Sequence, residues 1–138
     1  MSESEYEADF EHDCVYVVQA DNGEVKIGVS GTPFARLSKI KKEYGARRNF
    51  RDAYVAAFVT TKFGFLVETA AQRSLERYAV GGEWYRVNLL LALRAIWEAA
   101  WLVGDNVILQ TFGPSKELRV SRHVFRSFVR QCVPNYRA

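Results

Sequence analysis

A chain of 138 residues, 49% hydrophobic, 14% aromatic and 25% charged, is long enough to bury a real core and too apolar to be disordered throughout. Cys14 in an apolar strand and Cys132 in a helical tail imply neither a disulfide framework nor a zinc cluster, and His12 and His123 are too isolated to build a metal site of their own. The chain shows no charged-then-apolar leader and no run of about 18 apolar residues, so the expectation is a cytoplasmic protein without a membrane partner.

The net charge of +3 is unevenly spread. Residues 1–13 hold six acids (Glu3, Glu5, Glu7, Asp9, Glu11, Asp13) and no Lys or Arg, so the rest of the chain carries a net +9. A basic body suits a polyanion, because each phosphate it neutralises releases condensed counterions. It equally suits a solvated basic surface.

In chain order, Met1–Asp13 reads as an acidic flexible lead-in, either a solvating tail or a mimic of nucleic acid. Cys14–Ala20 is β-branched and aromatic, Asp21-Asn22-Gly23 is a turn signal, and Glu24–Val29 returns as the second strand of an antiparallel hairpin. Thr32-Pro33 marks a helix start, with Leu37, Ile40 and Tyr44 at helical spacing and Gly45 at the end. Arg36 flanks that apolar stripe. Ala53–Thr60 is a near-continuous apolar run, as in a buried strand.

Phe65–Tyr78 returns to a helical pattern, with Leu66, Ala70, Leu75 and Tyr78 expected on one side and Glu68 within it. Gly81-Gly82 stop it, and Glu83-Trp84-Tyr85 form a compact aromatic segment. Val87–Val103 is an apolar helix, either packed in the core or facing a second copy through Trp97 and Trp101. Val107–Phe112 reads as a strand and Ser121–Cys132 as a last helix. On that helix Arg122, Arg126 and Arg130 recur every four residues, as a phosphate-binding stripe or a solvated face. The expected fold is α+β, a three-stranded antiparallel sheet flanked by helices, with a C-terminal helix/strand/helix extension. Its expected division is a tail over 1–13, a core over 14–95 and an extension over 96–138.

The order hairpin, helix, strand, helix, with Val15-Tyr16-Val17, Lys26-Ile27-Gly28, Ala35-Arg36-Leu37, Glu68 and Gly82-Glu83-Trp84-Tyr85, resembles a GIY-YIG nuclease domain. The similarity is to its phage-associated branch, with a Lys-Ile-Gly second motif and a Gly-Glu-Trp-aromatic segment, and covers roughly residues 14–90. Three positions depart from the pattern. Cys14-Val15-Tyr16 stands where Gly-Ile-Tyr is usual, Lys26 replaces the name-giving tyrosine, and Gln72 replaces a histidine found in many relatives.

The resemblance implies a DNA endonuclease acting on double-stranded DNA with one divalent cation, Mg²⁺ or Mn²⁺. Glu68 would hold the cation, since a hard carboxylate oxygen suits Mg²⁺. Tyr16 would activate or orient the attacking water, and as a base it would need positive charge nearby, which Lys26 could supply. Arg36 would grip the scissile phosphate bidentately. Ser30 and Gln72 would support these groups. Lys39, Lys41, Lys42, Arg47, Arg48 and Arg51 form a basic flank expected to bind nucleic acid, with the Arg122/Arg126/Arg130 stripe as a second candidate surface. Two other readings stay open: a nucleic-acid-binding protein of the same fold with weak or lost catalysis, and a phage-type factor that binds a protein.

Overall fold

A computed structural model describes residues 12–103 and 109–112, with only the backbone of 109–111. The Arg122/Arg126/Arg130 helix and all but the last two residues of the acidic lead-in lie outside the described residues.

Three long strands form the frame: β1 (Asp13–Ala20), β2 (Val25–Ser30) and β3 (Ala53–Thr61). The hairpin turns where expected. Gly23 takes φ +89, a conformation that glycine adopts without strain, while Asn22 Oδ1 accepts the Glu24 N–H at 2.9 Å. β1 lies between β2 and β3, with Tyr16 opposite Gly28 on one side and Phe58 on the other.

The expected three-stranded sheet is overturned. Short strands β4 (Ala79–Gly81), β5 (Trp84–Tyr85) and β6 (Leu109–Thr111) extend it to six, all antiparallel, in the order β4-β5-β2-β1-β3-β6. Gly81 and Gly82, at φ +135 and +58, make the tight turn between β4 and β5. Along β2, β5 pairs with Val25 and Lys26 and the Ile27 N–H reaches the Glu83 carbonyl, so among the described residues the edge of β2 is open from Gly28 onward.

Alternation along β1 sorts the core into two layers. Val15 and Val17 face helices α2 (Gly64–Ser74) and α3 (Leu89–Leu102), which pack through Val67, Ala71 and Leu75 against Leu89, Leu93 and Ile96. Cys14, Tyr16 and Val18 face the other way, toward α1 (Pro33–Tyr44), Phe50, Phe58 and Trp84. Phe34 of α1 meets Phe58 and Phe112 edge-on, at centroid distances of 6.3 and 5.1 Å.

Two local expectations are corrected. Thr32 does not cap α1 with its hydroxyl; its own N–H donates to Ser30 Oγ at 3.0 Å, and its carbonyl accepts from Arg36. In α2 the inward face is Gly64, Val67, Glu68 and Ala71, whereas Leu66 is exposed. Trp97 is buried in the core, leaving Trp101 and Leu102 as the exposed apolar residues at the end of α3. No helix among the described residues is long and apolar enough to cross a membrane.

Candidate functional site

The open edge of β2 is where the two sides of the sheet can meet, and the candidate residues gather there. Tyr16, Lys26, Gly28 and Ser30 share the α1 side of the β1/β2 pair, because Tyr16 is opposite Gly28 and side chains alternate. Gly28 is the cradle of Tyr16. A Cβ there would overlap the phenol hydroxyl and stand 2.5 Å from Cζ, so only glycine leaves room for the ring. From the other layer α2 brings Glu68 to the same edge. One turn later Gln72 Nε2 donates to the Ile27 carbonyl at 3.2 Å, tying the helix to the unpaired side of β2. The Ile27 N–H on that side donates to the Glu83 carbonyl at 3.2 Å.

Electrostatics show how near these groups are. The Tyr16 side chain is 1% exposed, and burial pushes its phenol up to about 12. The Arg36 guanidinium beside the phenol pulls it down, while the Glu83 and Glu68 carboxylates push it further up. Glu68 is 8% exposed; burial raises its carboxyl above the usual range, Glu83 adds to the rise, and Lys26 opposes it. The structure thus brings Tyr16, Lys26, Arg36 and Glu68 into one neighbourhood around a fifth group, Glu83.

Glu83 was not in the expected set. Its Oε2 accepts from Lys26 Nζ in an ion pair, with Lys26 only 2% exposed and its ammonium 5.6 Å from the centroid of the Tyr44 ring. Its register held the clue, since Lys26 pairs with Trp84 and the residue before Trp84 falls beside the lysine. A two-residue strand carries no period of its own, so the pairing was invisible in sequence.

Ser30 and Gln72 act on the site through the backbone. Ser30 Oγ shapes the turn that launches the Arg36 helix, and the Gln72 amide holds the Glu68 helix to β2. The basic flank divides. Arg48 is drawn inward: Nε donates to the buried Glu24 at 2.8 Å, Nη2 to the Val80 carbonyl, and the guanidinium lies over Trp84. Lys41 pairs with Asp52 at 2.8 Å, holding that carboxyl below the usual range. Arg47 lies over the Tyr44 ring, and the Arg51 backbone N–H is held by Asp21. Lys39, Lys42, Arg47 and Arg51 are exposed.

Metal chemistry here is limited by the donors. No group of three or more His, Cys, Asp or Glu that could hold an ion occurs among the described residues. Glu68, with Glu83 as the neighbouring carboxylate, therefore fits a cation that keeps most of its waters, as Mg²⁺ does, and not a closed four-ligand zinc site. Positive charge would relieve the repulsion that raises Glu68.

The site thus sets a buried carboxylate, an ammonium, a guanidinium and a phenol beside one edge of an antiparallel sheet in an α+β fold. The profile of the T5orf172 domain matches residues 13–100, and the chain belongs to that family, a phage-associated one of the endonuclease-like class. No curated protein matches the chain.

Proposed function

We propose that the chain is a GIY-YIG-type, metal-dependent endonuclease that hydrolyses DNA phosphodiester bonds at the open edge of β2. The observation that carries the reading is the convergence of Tyr16, Lys26, Arg36 and Glu68 from two strands and two helices on that edge. Arg36 grips the scissile phosphate through two parallel N–H donors. Lys26 neutralises the phosphate once its ammonium exchanges Glu83 for the incoming oxygen. Tyr16 works as a neutral phenol. With a pKa of about 12, it is ionised in roughly one molecule in 10⁵ at pH 7, so removing its proton costs about 7 kcal/mol. It therefore orients the attacking water by hydrogen bonding and does not take its proton.

Glu68 would hold Mg²⁺ or Mn²⁺, which when bound supplies a water of lowered pKa and neutralises charge on the phosphate. Gln72 and Ser30 fix the helices that carry Glu68 and Arg36. Lys39, Lys42, Arg47 and Arg51 extend a positive track along the DNA backbone.

A second reading, a nucleic-acid-binding protein on the same fold with little catalysis, is favoured by two specific observations. Lys26 is already paired with Glu83, and Gln72 has its amide committed to Ile27. Supercoiled plasmid incubated with Mg²⁺ or Mn²⁺ separates the two. Nicking that disappears in Glu68→Ala supports the endonuclease. DNA binding without cleavage by the wild type sinks it, and cleavage that survives Glu68→Ala removes Glu68 from the site.

A further inference from the structure

Helix α2 carries an aromatic ring beside the site that packing does not explain. Phe65 is 72% exposed, the most exposed aromatic among the described residues. A single exposed apolar side chain is ordinary. The position of this one is not. Successive residues of an α-helix are about 100° apart, so Phe65 lies about 60° from Glu68 and one turn from it, with Gln72 between them in angle. Phe65, Glu68 and Gln72 form one stripe, and its two later members reach the β2 edge. Leu66 is turned about 100° from Phe65, away from Glu68.

The start of the helix that carries the ring is held in place. Gly64 seats the start of α2 on the sheet with no clearance: a Cβ there would be 2.8 Å from Val29 Cγ2 and 2.9 Å from Asp13 Cβ. The Phe63 N–H donates to Thr61 Oγ1 at 3.0 Å, which fixes the turn into the helix. Rolling of the helix therefore does not bury Phe65, whose backbone stays one turn from the carboxylate.

We propose that Phe65 is a stacking platform for an unpaired nucleobase of the strand whose phosphate lies at Glu68, so that the protein binds single-stranded or locally opened DNA in preference to intact duplex. A flat apolar ring cannot contact phosphates usefully, but it stacks on any base, and the base edges stay sealed in a paired helix. The inference rests on the endonuclease reading for its substrate, and it adds which form of DNA the site accepts.

Fluorescence anisotropy tests it with the intact protein in millimolar Ca²⁺, an oxygen-seeking cation that compensates the Glu68 and Glu83 carboxylates, using a 20-nucleotide oligothymidylate and a 20-base-pair duplex across a salt series. Phe65→Ala should weaken single-strand binding roughly 10- to 100-fold with the salt slope unchanged, while Phe65→Trp retains it. Duplex affinity should fall much less. An unchanged single-strand affinity, or an equal loss on both DNAs, overturns the proposal and leaves the endonuclease reading standing. Absence of affinity for either DNA at low salt overturns both. Sedimentation supplies the other refutation: a wild-type dimer that Phe65→Ala converts to monomer assigns the ring to a self-interface. Thermal melting should be unchanged in Phe65→Ala, since the ring is exposed.

Discussion

Replacing Gly28 by alanine tests the cradle on which the site depends. A methyl group there meets the Tyr16 ring, 2.5 Å from Cζ and 3.1 Å from Cε1, and the ring cannot swing aside because it is 1% exposed among Cys14, Val18, Phe58 and Trp84. Overpacking of this kind costs about 1–3 kcal/mol. Alanine in a strand is otherwise better than glycine by roughly 0.5–1 kcal/mol, so the net loss expected in the wild-type background is about 1–2 kcal/mol. In a Tyr16→Leu background, where the side chain stops short of the clash, the same Gly28→Ala change should stabilise by about 0.5 kcal/mol. Urea unfolding of the four proteins closes the cycle, and the sign reversal is the diagnostic. Additive effects, or a Gly28→Ala loss that persists without the ring, would refute the cradle. Plasmid nicking by Gly28→Ala should fall well beyond its loss of stability, because the displaced phenol no longer orients water.

The remaining tests concern charge. Tyr16 titrates near 12 in the folded chain and near 10 unfolded, so the folded form holds its proton longer. Its contribution to stability is present below pH 10 and is lost between pH 10 and 12, and Tyr16→Phe should flatten that part of the curve, measured by urea midpoints against pH. Glu68, raised in the fold, contributes stability that is present in acid and lost as pH rises through its folded pKa. Glu68→Gln should therefore melt no lower than wild type at pH 7, while losing any rise in Tm given by millimolar Mg²⁺. Arg48→Ala leaves the buried Glu24 without its main partner and should cost about 2–3 kcal/mol of stability in urea. Lys42→Ala should leave stability within about 0.5 kcal/mol and reduce the salt slope of DNA binding by about one.

The long elements could be read from the sequence because each carries its own signal. β-branched runs and Asp21-Asn22-Gly23 mark the hairpin, Pro33 starts α1, and a spaced apolar stripe ends at Tyr44. β4 and β5 could not be read, since three and two residues show no alternation and they exist through pairing with each other and with β2. The phase of α2 was misread for a related reason. Leu66, expected on the inward side, is apolar without being buried, while the small inward residues Gly64 and Ala71 carry little hydrophobic signal. Within the site, it was the resemblance of four ordered motifs that named Tyr16, Lys26, Arg36 and Glu68 as a group, since no one of these residues carries that signal alone. The partner of Lys26 was not named, because Glu83 reaches it only through the β2/β5 register.

That register has a consequence for cooperativity. Glu83 precedes a strand of two residues and follows two glycines in left-handed or extended turn geometry, so few backbone bonds hold it. The β1/β2/β3 frame is locked by long ladders on both sides of β1. What anchors the ribbon is its side chains, since Trp84 and Tyr85 are buried at 1% and 4% exposure in the two opposite layers of the core. Opening of the β4–β5 ribbon would therefore take Trp84 from beside the Tyr16 ring as well as Glu83 from Lys26, so the latch on the ammonium and one wall of the phenol's pocket open together.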